Sequence, residues 1–138
     1  MITVFALLHS SISYGKEVEP NITGEWVGSA FLHATVNGFS SSKDAIKVRI
    51  SQQEGLKFKG NVEKSFNGKV LQQDIQGYID RNKHNICLVD QKNRKVIIGY
   101  ISSNEIMKLY CWDNIENNKI TVYILRKTEG YLILNNLK

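Results

Sequence analysis

Proline occurs once in this chain, at Pro20, and cysteine twice, at Cys87 and Cys111. One proline excludes collagen-like and Pro-rich organisation. Two cysteines so far apart make neither a zinc knuckle nor a CxxC redox motif, and free thiols are expected of both. No apolar run approaches the length of a membrane-spanning helix. Dense runs of Lys and Arg are missing as well: "RNK" and "KNRK" are the closest, both at expected turns. The net charge of +5 therefore permits anionic partners without giving the footprint of a nucleic-acid binder. Histidine appears only as His9, His33 and His84, with no H-x-H or H-E-x-x-H spacing, and G-x-S-x-G, P-loop and Rossmann glycine patterns are absent. No catalytic residue, metal or cofactor is expected, and an enzyme is the lesser reading.

What is present suits one globular domain. The 138 residues are 42% apolar and 22% charged, enough to bury a core and too apolar for a disordered chain. The first 15 residues, "MITVFALLHSSISYG", carry no Lys, Arg, Asp or Glu. Ile2 to Leu8 is apolar except for Thr3, and Ser13 and Gly15 suit a signal-peptidase site. Residues 1–15 read as a leader lacking its basic start, which gives an exported chain, secreted or periplasmic, whose single domain spans residues 16–138. A buried N-terminal strand or helix is the plainer alternative.

From Thr23 onward the period is two. Ile46, Val48 and Ile50 alternate with Lys47, Arg49 and Ser51, and Leu71, Ile75 and Ile79 alternate with Gln72, Asp74 and Gln76. Such runs have one dry and one wet face, as antiparallel strands over a core do. Glu54-Gly55, Asn67-Gly68, Gln91 to Arg94 and Asp113 to Asn118 supply turns, Asn-Gly being the strongest hairpin signal. The spacing predicts strands over 22–36, 45–53, 56–64, 70–80, 84–90, 95–102, 105–113 and 119–128. Short connections make these an all-β, eight-stranded antiparallel up-and-down barrel. "FKGNVE", "IQGYID" and "IIGYIS" repeat a glycine within a strand, a mark of close backbone approach. Cys87 and Cys111 fall two strands apart, about 9–10 Å across a flat sheet and beyond disulfide reach.

Gly24-Glu25-Trp26 opens the first strand and Arg126 lies near the end of the last. Alternation groups Trp26 with Gly28, Ala30 and Leu32, and Arg126 with Ile120, Val122 and Ile124, all facing inward at one end. This G-x-W with a basic partner resembles the calycins, the lipocalin-like barrels, in which the pair closes one end. The resemblance covers residues 22–128 and implies a carrier-type barrel with Gly24, Trp26 and Arg126 as structural residues. The hairpins and repeated glycines are similar, more weakly, to the avidin group; with only Trp26 and Trp112, biotin binding is not expected.

The mouth then carries the loops after the first, third, fifth and seventh strands. Leu32, Ile46, Val62, Leu71, Ile97, Leu109 and Ile120 are expected to face inward near it, and the lumen is either filled by them or open to one small ligand. Lys64, Lys69 and Lys95 at the rim suit an amphipathic anion such as a fatty acid. The candidate ligand-binding set is thus Leu32, Ile46, Leu71, Leu109, Ile120 and Lys69. A secreted interaction or inhibitor module with a filled barrel is the alternative, and the apolar "YLIL" of the tail leaves a packed-down segment or a homodimer open.

Overall fold

The structure, a computed structural model, describes residues 19–35, 37–40, 44–82, 84–102, 105–113 and 119–128. The expected leader and the apolar tail lie outside them. The strands are β1 (Gly24–Thr35), β2 (Gly38–Ser40), β3 (Ala45–Glu54), β4 (Lys57–Phe66), β5 (Lys69–Ile79), β6 (Asn85–Asp90), β7 (Lys95–Ile101), β8 (Ile106–Asp113) and β9 (Lys119–Lys127). Among the described residues there is no helix, and none long and apolar enough to cross a membrane.

Turn chemistry sets the hairpins. Asn67 and Gly68 both take positive φ, 48° and 74°, and join Phe66 to its cross-strand partner Lys69. That is the mirror-image turn whose twist matches the flanking strands. Every neighbouring pair from β3 to β9 is antiparallel, and β1 pairs with both β3 and β9. Eight strands thus close into a barrel without a free edge. β2 is an addition within the expected 37–44 loop: it folds back on β1 as a hairpin, Ala34 opposite Phe39.

Inward side chains fill the barrel from its closed end to past its middle. Trp26, Val48, Val62, Ile75, Leu88, Met107, Leu109 and Leu125 are all buried. The repeated glycines have the expected cause. A Cβ on Gly60 would strike the backbone of Arg49 and Ile50, and one on Gly77 the ring of Phe58. No side chain fits where the coiled wall comes that close.

The closed end is sealed by the chain leading into β1. The Trp26 indole N–H donates to the carbonyl of Ile22 at 2.9 Å. Gln53 clamps the same segment, accepting from the Ile22 N–H at 2.9 Å and donating to the Pro20 carbonyl at 2.7 Å. The expected cation over the indole is there, but it belongs to Lys127, whose Nζ sits 5.7 Å from the ring centre. Arg126 points outward and is exposed. Alternation in β9 runs opposite to expectation: Thr121, Tyr123 and Leu125 are buried, while Ile120 is exposed and Val122 and Ile124 are only half-buried. The cause is an outer wall itself apolar at these positions, so hydrophobicity does not distinguish the faces.

Cys87 lies outward and exposed, Cys111 half-buried towards the lumen, and neither is bridged.

Candidate functional site

At the open end the core gives way to a cavity of about 490 Å³. Its wall is more polar than the alternation suggested. His33 of β1, Lys64 of β4, Gln73 of β5, Lys95 of β7, Cys111 of β8 and Thr121 and Tyr123 of β9 line it, with Asp44 just before β3. Apolar surface comes from Ile97 and Leu71, and from Val96 and Trp112 where the cavity spills over the rim.

Each polar group is held by the local fold. A register shift between Ala30 and Leu32 adds a residue to β1 opposite β9. The bulge leaves Phe31 exposed and turns His33 inward, buried. There His33 Nδ1 lies 2.8 Å from Thr121 Oγ1, its Cα partner on β9, and Nε2 lies 3.5 Å from Asp44 Oδ2. Burial, with Lys119 adding to it, pulls the imidazole below its ordinary value, against the opposing pull of Asp44. Burial likewise pushes the Cys111 thiol up, only partly offset by Lys64 and Lys95, and raises the Tyr123 phenol, which stays protonated at physiological pH.

Lys64 is, with Lys95 and Lys119, one of the half-buried cations lining the site. Its Nζ is 4.0 Å from Cys111 Sγ and 5.6 Å from the centre of the Tyr123 ring. Among the described residues no carboxylate meets it. Asp90, buried at the same end, is occupied by its own turn: it accepts from the N–H of Lys92 and Asn93 and from Asn93 Nδ2.

The residues singled out from sequence are dispersed. Leu71 lines the cavity. Ile46 and Leu109 are buried core residues outside its lining. Ile120 is exposed on the outer wall and Leu32 half-buried past the bulge. Lys69 is exposed beside its turn, while Lys64 and Lys95 reach the cavity. His33, Gln73, Thr121 and Tyr123 escaped the sequence reading. His33 depends on a bulge without a sequence mark, and the β9 pair on a parity that two apolar faces conceal. Among the described residues no group of three His, Cys, Asp or Glu side chains is placed to hold a metal ion.

The chain matches no model of a known protein family and no curated protein.

Proposed function

We propose that this protein is an exported, non-enzymatic binder that takes a small amphipathic anion into the open end of its barrel. The observation that carries the reading is Lys64, a half-buried ammonium lining a cavity of about 490 Å³, against which, among the described residues, lie a thiol and an aromatic face. A half-buried cation gains from a charge-assisted hydrogen bond, and a ligand carboxylate supplies one. Lys95 and Lys119 line the same space and add attraction. The ligand's body lies on Ile97, Leu71 and the rim at Val96 and Trp112. Its burial contributes about 25 cal/mol per Å² before ordering costs are subtracted.

The cavity is shallow, because the core below it is solid, so the ligand is short or leaves its tail at the rim. Kinship with the calycins is part of the same proposal. Its support is the Gly24-Glu25-Trp26 opening with a cation over the indole. Native mass spectrometry of purified protein tests the reading. An adduct is expected on the wild type and is expected to be missing from Gln73→Trp, which fills the cavity from β5. The same adduct on both proteins would place the ligand elsewhere.

A further inference from the structure

The outer wall is two-sided. Over β3 to β5 it alternates charged and polar groups such as Lys47, Arg49, Lys57, Lys59 and Gln76. Over β2, β1, β9, β8 and β7, close to the mouth, it is apolar and exposed. The register makes this continuous: Phe39 stands opposite Ala34, Ala34 opposite Ile120, and Ile120 opposite Trp112. Val96, one step beyond the Ile97–Cys111 pair, extends the row. Phe39 is 79% exposed, Trp112 63% and Val96 55%, which no monomer in water gains from. On the far side of the mouth, Val70 and Leu71 are exposed too.

Among the described residues the exposed charge at the mouth turns is mostly positive. Lys69, Lys92 and Arg94 are exposed at the mouth turns; the exposed Asp74, whose carbonyl accepts from the Gln91 N–H, lies level with the last two, while Asp90 is buried and Asp44 half-buried against His33. A second exposed row, Tyr110 beside Ile98 beside Cys87, lies two residues farther from the mouth, about 7 Å along the strands. The apolar band is therefore about as deep as the interfacial zone of a bilayer, roughly 5–10 Å.

We propose that the mouth of the barrel docks on an anionic lipid surface. Phe39, Trp112, Ile120 and Val96 enter the headgroup–acyl boundary, and Lys69, Lys92 and Arg94 meet the anionic headgroups. Aromatic side chains with flanking cations are the combination that favours this boundary over water or hydrocarbon. A protein partner with an apolar surface would use the band but would not call for the exposed cations of the β4–β5 and β6–β7 turns. The inference stands on the outer wall and the turns, independently of whether the cavity holds a ligand.

Vesicles of phosphatidylcholine, alone or mixed with phosphatidylglycerol, test it on the full chain. Co-sedimentation with the mixed vesicles is expected, weakening with salt, and little with phosphatidylcholine alone. Acyl-brominated lipid is expected to quench the Trp112 fluorescence of the wild type. The quenching disappears in Trp112→Phe, because the remaining Trp26 is buried at the opposite end. The pair Lys92→Glu and Arg94→Glu should weaken binding by about tenfold or more; both side chains are exposed, and circular dichroism checks the fold. Equal binding to both vesicle types, or no quenching of Trp112, overturns the proposal. Self-association of the protein without vesicle binding overturns it too, and gives the band to a second copy.

Discussion

Lys127 holds its ammonium 5.7 Å from the centre of the Trp26 indole, and the two residues are direct partners in the β1–β9 register that closes the barrel. The Lys127 ammonium also donates to the Asn21 carbonyl at 3.3 Å, tying the entering segment to the last strand. Trp26→Ala should destabilise by about 3–5 kcal/mol through the cavity it leaves. Lys127→Ala should cost about 0.5–1 kcal/mol, and Arg126→Ala, on the outer face, less than about 0.5 kcal/mol. Urea denaturation of the three variants checks the order; a larger loss in Arg126→Ala than in Lys127→Ala would reverse the assignment.

How far these features can be read from sequence depends on whether a strand has one dry face or two. β3 and β5 alternate cleanly, and their ends and inward sets, Ile46, Val48 and Ile50 or Ile75 and Ile79, follow from the pattern. β9 reads Lys-Ile-Thr-Val-Tyr-Ile-Leu-Arg-Lys, apolar on both sides, and its more aliphatic set lies on the outer side. That single slip of parity moves the cation over Trp26 from Lys127 to Arg126. It also hides Thr121 and Tyr123 from the cavity. Register is set there by pairing with β1, a contact between the chain's two ends that no local window contains.

His33 makes stability depend on pH. Its folded pKa lies below the ordinary 6.5, so on acidification the unfolded chain takes up this proton before the barrel does. Its contribution is intact above 6.5 and is lost as pH falls from there towards the folded value. Stability should therefore drop across that window, and His33→Gln should flatten the dependence. Melting temperatures from neutral to mildly acid pH measure this; an unchanged slope in the variant would remove His33 as the cause.

The two thiols should differ in rate and never bridge within one chain. Cys87 is exposed and Cys111 half-buried with a raised pKa, so a thiol reagent at neutral pH should label Cys87 well before Cys111. Denatured, non-reduced monomer should titrate with both thiols. Recovery of none would mean a bridge that the opposed directions of the side chains forbid.

Gly28 faces the Ile124 carbonyl and the Leu125 Cα so closely that a Cβ has no room. Gly28→Ala should cost about 1–3 kcal/mol as β1 and β9 are pushed apart at the closing seam. Thermal denaturation of this variant beside Gly68→Ala, whose cost is the strain of a positive φ with open space around it, separates crowding from conformation.

The cavity's claim to an anion rests on Lys64, and paired probes test it most directly: a fluorescent fatty acid and its neutral alcohol, titrated against wild type and Lys64→Met. The wild type should bind the acid at micromolar concentration and more tightly than the alcohol. In Lys64→Met affinity for the acid should fall by about tenfold, near 1.4 kcal/mol, with the alcohol unchanged. Equal affinity of the wild type for acid and alcohol, or no binding of either, would contradict the account.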